Sequence, residues 1–223
     1  MKPTTIGVLG GLGPATTAEF YLEVIRRATT YSRPPMCIWS VPLRLDKERE
    51  FIISGLHAEY LYLHLKKGAQ ALERAGSEHM VIPCNTVHEF HSRLSQEVSV
   101  PVVNLIDLVA EEVRKRQWRE LFLLATSRTI KTRLYQTVLA KSGIAVHIPT
   151  AQEQIHVDDL ITGLLGESSK PEHTSFLESL VGNAGANHIL LGCTDLQLVF
   201  ASSEDTIDSM GVLAQHTADL CLA

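Results

Sequence analysis

The segment 77–90, SEHMVIPCNTVHEF, contains a short apolar run that ends at a cysteine. Residues 80–82 are apolar, and Pro83 and Cys84 follow them directly. Asn85 and Thr86 come next, and both residue types are favoured where a helix begins. The segment therefore predicts a buried strand, a thiol at its carboxyl end and a helix immediately after the thiol.

A second segment, 185–197, repeats this arrangement with the sequence GANHILLGCTDLQ. When Cys193 is aligned with Cys84, His188 falls on His79, and Ala-Gly pairs precede both strands at matching positions. Two segments with the same layout indicate two related halves of the chain. We interpret the two histidines as structural, since they stand before the apolar runs and away from the thiols.

Other apolar runs alternate with helical patterns along the chain. The runs that predict further strands are TIGVLGG (5–11), PMCIWSVP (35–42), VPVVNL (100–105), LFLLATS (121–127), IAVHIP (144–149) and TIDSM (206–210). This alternation occurs twice and predicts an α/β fold with parallel sheets. We expect two pseudo-symmetric α/β halves with the active site in the cleft between them. Residues 1–105 and a C-terminal helix at 208–223 form the half that carries Cys84, and residues 106–207 form the half that carries Cys193.

The two cysteines are expected at the ligand-binding edge of this fold. Ligands of open parallel α/β sheets bind outside the carboxyl ends of the strands. Each thiol also precedes a helix, whose N-terminal partial charge stabilises a thiolate, so we expect a lowered pKa for Cys84 and Cys193. A thiolate on one side of a ligand can remove a proton from carbon while a thiol on the other side delivers one, which inverts that carbon. The alternative is that each cysteine is a small buried apolar residue.

Composition and charge argue against several other classes of protein. The chain has 223 residues with a net charge of −5 and a pI of about 6.0, whereas nucleic-acid binding favours a basic face. No apolar stretch reaches the ~18 residues of a membrane span. The four cysteines show no C-x-x-C pair and no metal-ligand spacing. We therefore expect no metal, no nucleic-acid or membrane partner, reduced thiols and a cytoplasmic location.

The segment 7–14, GVLGGLGP, is a glycine-rich turn between a strand and a helix. Such a turn either binds an anion, with a substrate carboxylate as the expected ligand, or simply needs glycine for a positive φ. It is not a dinucleotide fingerprint, because Thr16 stands where the third glycine would be. His88 follows Cys84 by one helical turn, and it either tunes that thiol or packs its own helix.

These motifs together resemble the aspartate racemase family, part of the cofactor-independent aspartate/glutamate/hydantoin racemase superfamily. GVLGGLGP, PCNTVH around Cys84, LLATSRTIKTRLY from Leu123 and LGCTDL around Cys193 follow the order and spacing of that family over nearly the whole chain. The resemblance implies a racemase in which Cys84 and Cys193 transfer the α-proton of aspartate, glutamate or a related amino acid. It implies no pyridoxal phosphate, no other cofactor and no metal, and it implies a homodimer.

The resemblance also implies which residues bind the substrate. Asn85, Thr86 and Thr194 correspond to the polar groups that hold the α-carboxylate and the amino group. Gly11 and Thr126 lie at the corresponding strand ends. All of these residues stand next to a predicted strand, so we expect them around the same cleft as the two thiols.

Three positions depart from the family pattern. Lys47 stands where acid-specific members have an arginine, Leu165 where the family tends to have a lysine, and Arg128 where the family has a glycine. Lys47 and Arg128 are the candidates for binding a side-chain carboxylate, although lysine lacks the bidentate geometry of arginine. The side chain of the substrate and the enantiomer that each cysteine serves therefore stay open.

Two other functions also stay open. One is a different reaction of the same superfamily, such as isomerisation or decarboxylation of a small dicarboxylate, in which one cysteine does more than the other. The second is a small-molecule-binding protein without turnover. Matched thiols favour the racemase over the binding protein, because binding alone needs no pair of thiols.

Overall fold

The structure is a computed structural model that describes residues 3–28, 33–166, 171–200 and 203–222. Side chains are described throughout these ranges except at 171–174 and 222. The described chain folds into two parallel sheets surrounded by helices. This architecture confirms the α/β fold with two parallel sheets that the duplicated pattern predicts.

The first sheet is built from the N-terminal part of the chain. Its strands are β1 (Ile6–Gly10), β2 (Met36–Ser40) and β3 (His79–Val81), in the order β2-β1-β3. All five residues of β1 are buried, which fits a central strand covered on both faces. The exposed residues of β2 fit its place at the edge of the sheet.

The strand predicted at 100–105 does not form as an element of the sheet. Its pairing reduces to one parallel bridge between Val102 and Met80. Pro101 has no N–H to donate, and the Asn104 side chain already accepts hydrogen bonds from the first turn of the next helix. The hydrogen-bonded pairing with β3 therefore does not extend beyond Val102 in either direction.

The second sheet repeats this plan with one more strand. Its strands are β4 (Glu120–Leu124), β5 (Ala145–His147), β6 (Ile189–Leu191) and β7 (Thr206–Asp208), in the order β5-β4-β6-β7, and all pairs are parallel. Cys84 follows β3 and Cys193 follows β6, and each of these strands pairs with the central strand of its own sheet. The two thiols therefore occupy corresponding places in the two sheets.

Helices cover both sheets. They are α1 (Pro14–Arg27), α2 (Leu45–Ser54), α3 (Ala58–Arg74), α4 (His91–Leu94), α5 (Leu105–Lys115), α6 (Ser127–Lys131), α7 (Leu134–Ala140), α8 (Ala151–Leu165), α9 (Pro171–Asn183) and α10 (Ser209–Leu222). The C-terminal helix α10 packs against α1 and α5. In the other direction, α2 crosses to pack against α6 and α8, so it spans the space between the two sheets. The boundaries of the two halves at 105 and 208 stay a prediction.

An apolar core joins the two sheets near the carboxyl ends of their strands. Leu9 and Ile82 belong to the same buried cluster as Leu124 and Leu191 from the second sheet. Each of the four is fully buried, and burial of one such side chain stabilises the fold by roughly 1.5–3 kcal/mol. The segments that carry the two cysteines therefore follow strands that pack into one apolar core.

Candidate functional site

Cys84 and Cys193 line one small cavity between the two sheets. Cys193 is buried, and Cys84 is half-buried. The cavity has a volume of about 20 Å³, which is room for about one water molecule. A ligand larger than one water molecule therefore fits only if the residues around the cavity move.

Two short helices follow the thiols. A 3₁₀ helix at Thr86–Phe90 comes after Cys84, and another at Thr194–Leu198 begins directly after Cys193. The Thr194 hydroxyl donates a hydrogen bond to the Pro83 carbonyl oxygen at 3.1 Å. This bond ties the turn of the second sheet to the turn of the first, so the two thiols are positioned relative to each other.

The pKa values of both thiols lie opposite to the expected direction. Burial raises the pKa of Cys84 to about 12; the carboxylates of Asp195 and Glu48 raise it further, and backbone N–H groups at Val87 and Thr86 lower it. Burial, followed by repulsion from Asp195, also raises the pKa of Cys193 well above its ordinary value. The expectation of lowered pKa values is therefore wrong for this closed state, because loss of hydration outweighs what a five-residue 3₁₀ helix supplies.

His88 does not reach the thiol of Cys84. Its Nδ1 lies 2.7 Å from the Cys84 carbonyl oxygen, and its Nε2 accepts a hydrogen bond from the Leu105 backbone N–H at 3.1 Å. Because Nε2 accepts, Nδ1 carries the proton and donates to the carbonyl. Burial lowers the pKa of His88 to about 4, so its ring is neutral at physiological pH. His88 packs its turn and fixes the backbone of Cys84, which resolves the alternatives left open by the sequence.

The floor of the cavity is polar. The hydroxyl groups of Thr86, Thr126 and Thr129 hydrogen-bond to one another at 3.0–3.2 Å. Beside them, the Asn85 amide donates to the Ser209 hydroxyl at 2.9 Å and accepts from the Tyr135 hydroxyl. No second hydrogen bond from this amide nitrogen is present among the described residues, and Asn85 lines the cavity.

Two buried carboxylates stand beside the thiols, and the sequence patterns do not single out either of them. Asp195 accepts a hydrogen bond from the Thr16 hydroxyl and another from Cys193 Sγ at 3.7 Å. Glu48 lies on the inner face of α2 and is 7% exposed. Burial raises the pKa of Asp195 to about 6, and burial together with the charge of Asp195 raises the pKa of Glu48 to about 7. Asp195 stands inside the quoted LGCTDL motif, and Glu48 falls one helical turn before Ile52, so helical spacing is the signal that could have found it.

Most of the residues predicted for the site come together. The cavity is lined by Cys84, Asn85, Thr86, Thr126, Cys193 and Thr194. Leu165, which replaces a lysine of the family pattern, lines it as well. The polar groups expected at the strand ends are therefore adjacent in the fold, and an apolar side chain stands where the family tends to place a cation.

Three of the predicted residues lie outside the cavity wall. The backbone N–H of Gly11 donates to the Thr17 hydroxyl at 2.9 Å, so the glycine turn is occupied by its own helix. The ammonium group of Lys47 lies 4.1 Å from the centre of the Tyr60 ring. Arg128 binds the Glu89 carboxylate through two nitrogens, at 2.7 and 3.2 Å. In this closed state neither cation faces the thiols.

Among the described residues, no group of three or more histidine, cysteine, aspartate or glutamate side chains is arranged to hold a metal ion. The described helices also include none with the length and apolar character needed to cross a membrane.

Comparison with known proteins assigns the chain to a family of enzymes. The family model described as Asp/Glu/Hydantoin racemase matches residues 9–217, and the chain belongs to this family. The assignment confirms the resemblance carried by the two cysteine motifs.

Individual relatives and solved structures resemble the chain over nearly its whole length. The chain is 27% identical to the broad specificity amino-acid racemase RacX of Bacillus subtilis, and the match covers 98% of both chains. The crystal structure of an aspartate racemase homologue from Pyrococcus horikoshii superposes with a TM-score of 0.78 at 29% identity, with 100% of each chain covered. An aspartate racemase from Picrophilus torridus, at 21% identity and a TM-score of 0.77 over 97% of this chain and 94% of its own, shows the same fold.

Proposed function

We propose that the protein is a cofactor-independent amino-acid racemase in which Cys84 and Cys193 transfer the α-proton. The observation that carries the proposal is that both thiols line one cavity from corresponding strand ends of two sheets. Family membership supports it, and the relatives named above are amino-acid racemases and a racemase homologue.

The proposed reaction needs one thiolate and one thiol on opposite sides of the α-carbon. The thiolate takes the α-proton and becomes a thiol, and the electron pair left on carbon spreads into the α-carboxylate. The opposite thiol then gives its proton to the other face and becomes a thiolate. The product is the other enantiomer, and the two cysteines have exchanged protonation states, so the same site runs in both directions.

The raised pKa values of the thiols are compatible with this reaction when a substrate is bound. Asp195 raises the pKa of both cysteines. The α-ammonium group of an amino acid beside Asp195 would offset that negative charge and favour one thiolate. Backbone N–H groups at Val87 and Thr86 already stabilise the charged form of Cys84.

The α-carboxylate has donors available on the floor of the cavity. Asn85 has a second amide hydrogen besides the one bonded to Ser209, and the hydroxyl groups of Thr86 and Thr126 can donate to a ligand once they release the hydrogen bonds that join them to each other and to Thr129. Hydrogen bonds to the carboxylate stabilise the charge that develops there when the α-proton leaves. Substrate entry requires α2 and α8 to move apart, and the hydrogen bond from Arg49 to the Thr162 carbonyl oxygen at 3.1 Å is one contact that must open.

The role of Lys47 and Arg128 in binding a side-chain carboxylate stays a prediction, since both lie outside the closed cavity.

We also propose that the protein is a cytoplasmic homodimer, as its family resemblance implies. Light scattering on the purified full chain measures the oligomeric state, and a monomer at micromolar concentration would contradict that part of the proposal.

The test of the racemase proposal is a panel of L- and D-amino acids incubated with the full chain in deuterium oxide. A racemase replaces the α-proton by deuterium, and NMR follows the loss of the α-proton signal while chiral chromatography follows the enantiomer. Exchange with no amino acid would contradict the proposal and favour a binding protein. Consumption of a substrate with release of carbon dioxide would instead indicate a decarboxylase.

A further inference from the structure

Glu48 is a buried carboxylate that faces the thiol cavity without a partner. It lies on the buried face of α2, is 7% exposed and lines the cavity with Cys84 and Cys193. No hydrogen bond or ion pair to its carboxylate exists within the part of the chain that the structure describes. A buried carboxylate without a counter-ion is costly, so such a group is retained where something else supplies the opposite charge.

The charged groups of the cavity are all acidic. Asp195 is the second carboxylate, and it already accepts hydrogen bonds from Thr16 and Cys193. None of the described residues that line the cavity is a lysine, an arginine or a histidine. Lys47 and Arg128 are held by Tyr60 and Glu89, so a ligand with a negative side chain would meet repulsion and no cation.

The two carboxylates occupy different places relative to the thiols. Asp195 hydrogen-bonds to Cys193, so it stands next to the reacting carbon and suits the α-ammonium group of an amino acid. Glu48 makes no hydrogen bond to either thiol, and its charge affects Cys84 less than that of Asp195 does. Two separate carboxylates in one cavity match two cations on one ligand, the α-ammonium group and a cation on the side chain.

The remaining wall is apolar. Leu12, Ile52, Ile161 and Leu165 line the cavity together with Glu48. An unbranched chain of methylene groups that ends in a cation is complementary to this wall. Its stem packs on the apolar surface, and its charged end pairs with the carboxylate. An apolar wall alone would accept neutral aliphatic side chains equally well. The Glu48 carboxylate is therefore the group that favours a cationic side chain over a neutral one.

Building on the proposed racemase function, we propose that the preferred substrate is an α-amino acid with an unbranched, positively charged side chain, as in ornithine or lysine, and that Glu48 binds its distal cation. Glu48 is thus a specificity-determining residue of the site. Aspartate and glutamate are disfavoured by the same carboxylate.

The experiment compares α-deuterium exchange for ornithine and lysine with that for norleucine, which has the stem of lysine without the charge, and with that for glutamate and aspartate. For the unaltered protein we expect kcat/KM for ornithine or lysine to exceed that for norleucine by roughly tenfold or more, in line with a charged hydrogen bond. Glu48→Gln should lower the lysine-to-norleucine ratio of kcat/KM by a similar factor. The matched control is Glu50→Gln on the same helix, whose side chain is 55% exposed and pairs with His57, and the ratio should not change there.

Each outcome separates this inference from the racemase proposal. Exchange with no amino acid contradicts the racemase proposal itself. Exchange that favours glutamate or aspartate over lysine keeps the racemase but overturns the substrate class. Equal loss for lysine and norleucine in Glu48→Gln, with a melting temperature no lower than that of the unaltered protein, shows that Glu48 binds the shared α-ammonium group or shapes the cavity, which overturns its role in specificity.

Discussion

The hydroxyl group of Thr194 donates to the carbonyl oxygen of Pro83, 3.1 Å away, and so joins the two cysteine turns across the sheets. Thr194 follows Cys193 and Pro83 precedes Cys84, so the bond connects the two duplicated segments at the point where each carries its thiol. Both partners are buried. A proton transfer that needs two groups at fixed distances from one carbon depends on such a connection.

Replacement of Thr194 by valine tests this connection. Thr194→Val removes the donor and leaves the buried Pro83 carbonyl oxygen without it, so we expect a loss of about 1–3 kcal/mol in the free energy of unfolding. We also expect kcat to fall by roughly tenfold or more, because a misplaced thiol transfers its proton poorly. Urea denaturation and α-deuterium exchange measure the two effects. Thr194→Ser keeps the hydroxyl group and should keep both properties, and similar losses in the two variants would show that the methyl group matters instead.

Serine substitutions test the thiol pair. A hydroxyl group has a much higher pKa than a thiol, so Cys84→Ser and Cys193→Ser should each lower racemisation by roughly a hundredfold to ten-thousandfold, the range typical of general acid–base groups. The losses should not add in the double variant, because both groups serve one step. Each single variant should still exchange the α-proton of one enantiomer, and the two variants should prefer opposite enantiomers.

The control for the thiol pair is Cys37→Ser. Cys37 is a half-buried free cysteine in β2 that does not line the cavity, so its replacement should leave racemisation unchanged. Near-normal racemisation in both Cys84→Ser and Cys193→Ser would show that the two thiols are structural.

Alanine substitutions test the two cations that lie outside the cavity. Arg128 and Glu89 form a bidentate pair with side chains 23% and 10% exposed. Arg128→Ala leaves that carboxylate without its partner, and we expect about 1–3 kcal/mol of lost stability with an equal effect on KM for acidic and neutral substrates. Lys47→Ala, which removes the contact with Tyr60, should change stability by less than about 1 kcal/mol. A KM that rises for acidic substrates alone in either variant would support binding of a side-chain carboxylate and would contradict the cationic substrate class.

Much of the fold follows from local patterns, whereas the charges of the site do not. The apolar runs at 5–11 and 121–127 predict the central strands β1 and β4, because a strand covered on both faces needs continuous apolar residues. The duplicated segments predict corresponding positions for Cys84 and Cys193 for the same local reason. The direction of their pKa shifts depends on burial by helices far along the chain, which local helix-start signals do not report.

Glu48 illustrates the same limit for a single side chain. In the sequence it stands in the charged run LDKERE, which is typical of a solvated helix face. In the fold α2 packs against α6 and α8, whose residues lie far along the chain, and this packing turns Glu48 inward. Helical spacing places Glu48 on the same side of α2 as Ile52, and the tertiary contact then buries Glu48 while Glu50 stays exposed.

The raised pKa of Glu48 predicts how its removal changes stability with pH. The pKa rises from an ordinary 4.5 to about 7, so the folded state holds this proton more tightly than the unfolded state does. Stability contributed by the protonated form is fully present below about pH 4.5 and is lost as the pH rises through 7, because the unfolded chain then binds fewer protons. Glu48→Gln keeps the group neutral at every pH. The variant should therefore gain stability relative to the unaltered protein at pH 8, by up to about 3 kcal/mol, and gain little at pH 5.

Urea denaturation of the unaltered protein and of Glu48→Gln at pH 5, 6, 7 and 8 measures this difference. Glu50→Gln, whose side chain faces solvent on the same helix, is the control and should show a difference of less than about 0.5 kcal/mol at each pH. Addition of lysine should reduce the advantage of Glu48→Gln at pH 8, since a bound cation stabilises the ionised carboxylate of the unaltered protein and not the amide. A difference between the two proteins that stays constant from pH 5 to pH 8 would show that the pKa of Glu48 is not raised in the folded state, which would contradict this prediction.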